Sequence, residues 1–297
     1  MSPAPAQFRP RPGEKEIADR RAEFRRLHES GCFVIPNPWD AGSALYLQHM
    51  GFKALATTSA GFALSRGLPD YGAVTAEMAL ENILDIIFAV VLPVNADFQA
   101  GFSSTPEGVA ENVLRCIDTG VAGLSIEDST GDPKKPLYDI PVAVERLKAA
   151  RSAIDSSRTG VLLTARAECH LVGHPHPFEE SILRLQAYAE AGADVLFAPG
   201  LKSREAIKAV VDAVSPKPVN VLMSSNVGLT VSDLASLGVR RISVGSALAR
   251  AAWTGFIRAA TAIASSGVFS GFDGTVPLVD LDRFMKSIED HHARTRK

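Results

Sequence analysis

Acidic and amide side chains recur where short apolar runs of this chain end. VLPVNADFQAGF places Asn95 and Asp97 two residues apart, GLSIEDSTGD ends in Glu127 and Asp128, and LLTARAE ends in Arg166 and Glu168. Asp70 follows a further run that closes on Thr58, Ser59, Ala60 and Gly61. A magnesium ion takes oxygen ligands and keeps several waters, so two or three carboxylates facing one point suffice to hold it. A guanidinium beside them grips a carboxylate or an oxyanion through parallel N–H groups. These residue types point to a hard-cation site beside an anion clamp. Each acid taken singly also fits a helix cap or an ion pair with a neighbouring arginine.

The elements that must position these groups follow a repeating grammar. Eight apolar or β-branched runs, at 33–36, 54–58, 90–96, 123–127, 160–165, 194–198, 219–223 and 241–244, alternate with helical periodicity. Strands separated by helices pair in parallel, because a crossover helix returns the chain to the same edge. HMGFKALATTS, DTGVAGLSIEDS, EAGADVLFAPG and SLGVRRISVGS repeat one junction, with Gly51, Gly120, Gly192 and Gly238 placed to end a helix in the left-handed conformation. This is the pattern of a (β/α)8 TIM barrel, whose active site lies at the carboxyl ends of the strands. A doubly wound open sheet is the alternative, weakened because PNPWDAGSA stands where its glycine-rich turn belongs.

Residues 1–13, with four prolines, read as a flexible arm; residues 14–266 read as the barrel, opening with a charged helix over 14–30. Residues 267–297 read as a helical extension that docks on its own barrel or on a neighbouring subunit.

Composition narrows the function. The 297 residues carry 31 Lys+Arg against 33 Asp+Glu, so no charge excess favours nucleic acid or an anionic membrane. The apolar stretch 86–94 is too short to span a bilayer. Cys32, Cys116 and Cys169 are too few and too scattered for a disulfide framework. The expectation is a soluble cytoplasmic protein.

The motifs VLPVNADFQAGF, GLSIEDSTGD and LLTARAE, in this order and spacing, resemble those of the isocitrate lyase and phosphoenolpyruvate mutase superfamily. The resemblance covers residues 33–265. It implies a (β/α)8 barrel, a Mg2+ ion (or Mn2+) held largely through water, and an α-oxo or α-hydroxy carboxylate substrate. It also implies homodimers or homotetramers built by exchanging a C-terminal helix. By that resemblance Asp97 is the principal metal carboxylate, Glu127 a second, and Asp70 an acid near the metal. Arg166 binds the substrate carboxylate or oxyanion, the backbone of Ser59, Ala60 and Gly61 receives a carboxylate, and Trp39 walls the pocket. Asp97 and Arg166 thus both count as substrate-binding, and Arg166, Glu127 and Asp70 as catalytic.

Two departures stand out. Asn95 replaces the first aspartate of the family's Asp-x-Asp, which removes one negative charge although an amide oxygen can still coordinate the metal. The loop after the fourth run reads GDPKKPLYD, with Pro136 where the family's lyases carry an acid–base cysteine. Lys134 and Lys135 in that loop read as a solvated pair or as part of a closing lid. Cys32 and Cys116 read as packed core, and Cys169 lies near the Arg166 strand end. His170, His174 and His176 read as a loop rather than a zinc site, and His291 and His292 as surface.

Together these features suggest a Mg-dependent lyase that cleaves a carbon–carbon bond in a small carboxylate through an enolate, as an oxaloacetate decarboxylase or a methylisocitrate lyase does. The alternatives are phosphorus–carbon chemistry on the same scaffold, or a barrel that binds an oxo-acid without turning it over.

Overall fold

The computed structural model describes residues 11–295. Residues 1–10 of the expected arm, and the side chains of His291 and His292, lie outside the described residues.

Eight parallel strands form a ring: β1 (Phe33–Ile35), β2 (Leu55–Ala56), β3 (Val94–Asp97), β4 (Gly123–Glu127), β5 (Leu162–Arg166), β6 (Val195–Phe197), β7 (Val219–Leu222) and β8 (Arg241–Ser243). They run in the order β1-β8-β7-β6-β5-β4-β3-β2. The seam between β1 and β2 is closed by a hydrogen bond from the Ala56 amide to Pro36 O, 3.0 Å. Asn37 reinforces it. Its amide donates to Thr57 O, and its Oδ1 accepts from the amides of Val244 and Gly245 at 3.0 and 2.8 Å. One side chain thus ties the ends of three strands.

Gly51, Gly120, Gly192 and Gly238 all adopt positive φ, between 86° and 97°. They stand just ahead of β2, β4, β6 and β8, as the repeat requires. The third expected strand is shorter than its apolar run. Val90 is instead the C-cap of α4 (Ala76–Ala89), bonded to Ile86 O, and the ladder begins only after Pro93, which has no N–H to give.

Helix α1 (Glu14–Glu29) plugs the amino end of the barrel. Phe24 is fully buried against Phe33, Ala54, Ala122 and Leu162, all at strand beginnings. Burial of such a ring contributes about 2–3 kcal/mol. Arg21 tightens the plug by donating to Val121 O and Ile117 O. With that end sealed, the carboxyl ends of the strands form the open face.

On that face the strands hand over to α2 (Ala41–His49), α3 (Ser59–Ser65), α5 (Pro106–Asp118), α6 (Ile140–Ser157), α7 (Pro177–Glu190), α8 (Arg204–Ala213), α9 (Val231–Ser236) and α10 (Ala247–Ser266). Asp40, Thr58, Thr105, Ser203 and Thr230 cap the helices that follow them, each worth about 1 kcal/mol. The extension continues through a short 3-10 turn into α11 (Leu278–Thr295). This helix lies on α2 of its own chain, where Phe284 meets Tyr46 and His49 edge-on at 5.2 and 5.1 Å. No helix among the described residues is long and apolar enough to cross a membrane.

Candidate active site

The inward-facing residues at the open ends of β3, β4 and β5 converge. Asp97 ends β3 and is held on two sides. Its amide donates to Thr57 Oγ1 at 2.9 Å, and its Oδ2 accepts from both the amide and the hydroxyl of Ser59 at 2.9 Å. Arg166 ends β5 directly opposite Glu127 in the β4–β5 register. Its Nη1 lies 2.9 Å from Glu127 Oε2 and 3.5 Å from Asp97 Oδ1, and its Nε donates to Glu168 Oε1. The Phe197 ring lies 5.5 Å from the guanidinium carbon. One cation is clamped by three carboxylates.

A second, deeper hub holds that clamp. Asp128 is buried and accepts from Tyr188 Oη (2.6 Å), Arg184 Nη1 (3.0 Å) and the amide of Glu168 (2.8 Å). Glu168 is therefore fixed by its backbone while its side chain aims at Arg166. Arg184 Nη1 also donates to Tyr138 O, and the Tyr138 amide donates to Asp128 O, so the hub anchors the end of the loop after β4.

Burial and like charge dominate the electrostatics. The Glu127 carboxyl is pushed up to about 8 by burial, against the pull of Arg166 and with added repulsion from Glu168, Asp128 and Asp70. Burial also raises Glu168. Asp70 lies in an exposed loop, where partial desolvation and then Asp97 lift its carboxyl and Arg166 lowers it. The guanidinium of Arg166 stays charged, because Glu127, Glu168 and Asp97 outweigh the effect of burial.

The structure brings Asp97, Glu127 and Arg166 into contact and leaves Asp70 within electrostatic reach. Asn95 lines the same cavity as Asp97 and Arg166 but one inward position deeper; its amide nitrogen donates to Ala96 O. Of the three amides expected to receive a carboxylate, that of Ser59 goes to Asp97 and that of Gly61 to Thr58 Oγ1. Ala60 sits between them in the first turn of α3. Trp39 lines a neighbouring apolar cleft with Ala249, Trp253 and Phe256, outside the cavity of Asp97 and Arg166.

Among the described residues no group of three or more His, Cys, Asp or Glu is arranged to hold an ion, because Asp97 and Glu127 turn to Arg166. The donor set nevertheless suits a divalent cation. Three carboxylates contact one guanidinium with Asp70 within electrostatic reach, the ligand atoms on offer are oxygens, and two buried oxygens, Glu127 Oε1 and Asn95 Oδ1, have no hydrogen-bond partner. Unpartnered buried acceptors beside excess negative charge are what a hard ion satisfies.

The cysteines offer no reactive thiol here. Cys116 and Cys169 are buried, and burial pushes Cys169 up to about 11. His170 has a buried, unpartnered Nε2, whereas His174 is half-buried and His176 exposed. The loop after β4 is a tight hairpin. Ser129 bridges Leu137, the Thr130 amide donates to Pro136 O, and Lys135 Nζ pairs with Asp139 at 2.8 Å.

Sequence reasoning gave Glu168 no role, although it shares the inward face two residues past Arg166. Thr57 and Asn37 act through backbone contacts that no spacing announces.

Comparison with known proteins places these motifs in context. A family profile described as phosphoenolpyruvate phosphomutase matches residues 24–264. The chain is 32% identical to 2-methylisocitrate lyase of Halalkalibacterium halodurans over 68% of this chain and 66% of that one. It is 30% identical to oxaloacetate decarboxylase of Pseudomonas putida over 77% and 79% of the two chains. The crystal structure of 2,3-dimethylmalate lyase, a PEP mutase/isocitrate lyase superfamily member, superposes with a TM-score of 0.80 at 26% identity, covering 96% of this chain and 99% of that one.

Proposed function

The chain belongs to the phosphoenolpyruvate mutase family and is a lyase-type enzyme of it, and on that premise we propose that it cleaves a carbon–carbon bond of a small 2-oxo dicarboxylate, by decarboxylation. The observation that carries this reading is the clamp of Arg166 between Asp97 and Glu127 at the open end of the barrel, with Cys169 buried and its thiol pushed up to about 11.

In oxaloacetate the C3–C4 bond breaks, its electron pair moves to the C2 oxygen, and carbon dioxide leaves. Arg166 is placed to meet that oxygen or the adjoining carboxylate. A fixed guanidinium in a site screened from water stabilises the developing charge without reorganising. The Ala60 amide, at the amino end of α3, is a donor for the other carboxylate oxygen. Glu127, with its carboxyl raised to about 8, can take up a proton near neutrality in a spot closed to solvent and gives it up when a cation binds. A retro-aldol cleavage needs a further acid–base group, and Pro136 occupies the loop position that would carry it.

A Mg2+ ion held by Asp97, Glu127 and Asp70, with the Asn95 amide oxygen as a further donor, would supply an additional electron sink. The apolar side chains left exposed on α10 and the extension, among them Phe256, Phe269, Phe272 and Leu278, support a homo-oligomer built through this region.

The test is turnover of oxaloacetate, 2-methylisocitrate, 2,3-dimethylmalate and phosphonopyruvate with and without Mg2+. Pyruvate formed from oxaloacetate, and lost in Arg166→Met, supports decarboxylation. Turnover of phosphonopyruvate alone shifts the reading to phosphorus–carbon chemistry, and no turnover with retained binding to a non-catalytic barrel.

A further inference from the structure

The cavity below Arg166 ends on a second guanidinium that the proposed reaction does not use. Arg166 pairs with Phe197, Phe197 with Asn220 and Asn220 with Arg241, so one hydrogen-bond row links the two arginines. Arg166 is the last residue of β5 and Arg241 the first of β8. With strands tilted about 36° and spaced about 4.8 Å, that row descends roughly 8 Å along the barrel axis. One arginine stands at the mouth and the other at the floor. Both line a single cavity of about 70 Å³, together with Asn37, Asn95, Asn220 and Ser243.

Arg241 is 3% exposed, and its contacts are all neutral. Nε donates to Asn220 Oδ1 (2.9 Å), Nη2 to Thr164 Oγ1 (3.1 Å), and Nη1 lies 3.4 Å from His28 Nε2. His28 cannot supply negative charge, and burial and Arg241 keep it neutral at physiological pH. A guanidinium has five N–H donors, so two remain beyond these three acceptors. Among the described residues no carboxylate forms an ion pair with it. The one acid lining the cavity, Asp97, is engaged at the mouth by Ser59 and Arg166. A buried charge without a counter-ion is strongly penalised, and burial accordingly lowers the Arg241 guanidinium to about 9.

We propose that the cavity floor is a binding site for a small monoanion, a halide or a carboxylate group, held by Arg241 with Asn220, Asn95 and Ser243 around it. The cavity has room for such a group, since about 10–15 Å³ of such space already holds a water molecule. Gluconate, a larger and strongly hydrated anion, is the control.

The experiment compares sodium bromide, chloride and gluconate at equal ionic strength, on wild type and on Arg241→Gln. Wild type is expected to melt about 2 °C or more higher in halide than in gluconate, and Arg241→Gln to show no such difference. A bromide-soaked crystal should show an anomalous peak beside the guanidinium. Wild type without halide stabilisation and without that peak overturns the proposal, whether or not Arg241→Gln folds. Halide stabilisation that persists undiminished in Arg241→Gln overturns it as well.

Kinetics then separate the sources of the anion. Competition between chloride and oxaloacetate, absent in Arg241→Gln, assigns the floor to a substrate carboxylate. Stabilisation without competition assigns it to an inorganic ion. The carboxylate arm rests on the proposed decarboxylation, while the melting and diffraction measurements do not. Failure of oxaloacetate turnover therefore overturns that function and leaves the anion site decided by halide alone.

Discussion

Glu127 and Arg166 stand opposite each other in the β4–β5 register, and their side chains meet at 2.9 Å inside the barrel mouth. Register, not loop geometry, sets this pair. The backbone ladder therefore fixes where both side chains start.

Replacing Arg166 by lysine should keep the barrel and remove most activity. An ammonium cannot reach Glu127, Glu168 and a substrate oxygen at once, whereas the guanidinium fork can. We expect kcat/KM for oxaloacetate to fall about a hundredfold or more, equivalent to losing a charge-assisted pair of hydrogen bonds. An unchanged value would make Arg166 structural.

Stability and cation binding should respond to pH in opposite senses at Glu127. Its carboxyl is raised from the usual 4.5 to about 8, so the folded chain binds a proton that the unfolded chain releases. The stabilisation this gives is complete below the unfolded value and is lost as pH rises through about 8. A divalent cation needs the ionised form, so Mn2+ affinity should climb from pH 6 to 8 and level above. Calorimetric titration at several pH values checks this, and Glu127→Gln should flatten the profile.

Asp97→Ala should weaken Mn2+ binding at least tenfold, with unaltered circular dichroism. Asp97 is the acid nearest solvent in the clamp and the one that Ser59 presents to the cavity. Equal affinity in calorimetric titrations of the two proteins would remove it from the cation site.

The Asp128 hub predicts a graded loss of stability. Asp128→Asn leaves Arg184 with only the half-buried Glu180 as counter-ion and should cost about 3 kcal/mol in denaturant titration. Tyr188→Phe deletes one hydrogen bond and should cost about 1 kcal/mol. Comparable effects from the two would mean that charge plays no part in the hub.

The loop after β4 should close as a stiff hairpin. Its base is already bonded through Thr130 and Tyr138, whereas residues 131–135 are exposed at its tip. Hydrogen exchange should slow at residues 131–135 when Mg2+ and an oxo-acid are added together, and stay unchanged at Thr130 and Tyr138. Equal protection of the tip without ligand would rule out closure.

Most of this architecture could be read in the chain itself. Strand–helix alternation and the glycines before β2, β4, β6 and β8 specified a parallel barrel, because both reflect local backbone requirements. The strand-end acids and Arg166 followed from the same reading. Element limits were less legible where one residue serves two elements: Thr58 leaves the second strand to cap α3, and Pro93 delays the third. The turn of Asp97 towards Ser59, and the displacement of Trp39 into its own cleft, depend on packing between segments distant in sequence.

The single backbone-to-backbone hydrogen bond described at the β1–β2 seam has a consequence for biosynthesis. β1 finds almost its whole ladder on β8, pairing Phe33 with Arg241 and Ile35 with Ser243. The first strand off the ribosome must therefore wait for the last. Until residue 243 has emerged, Phe33 and the helix packed on it have only half of their seat, and the nascent chain carries an unpaired strand edge of the kind that chaperones bind.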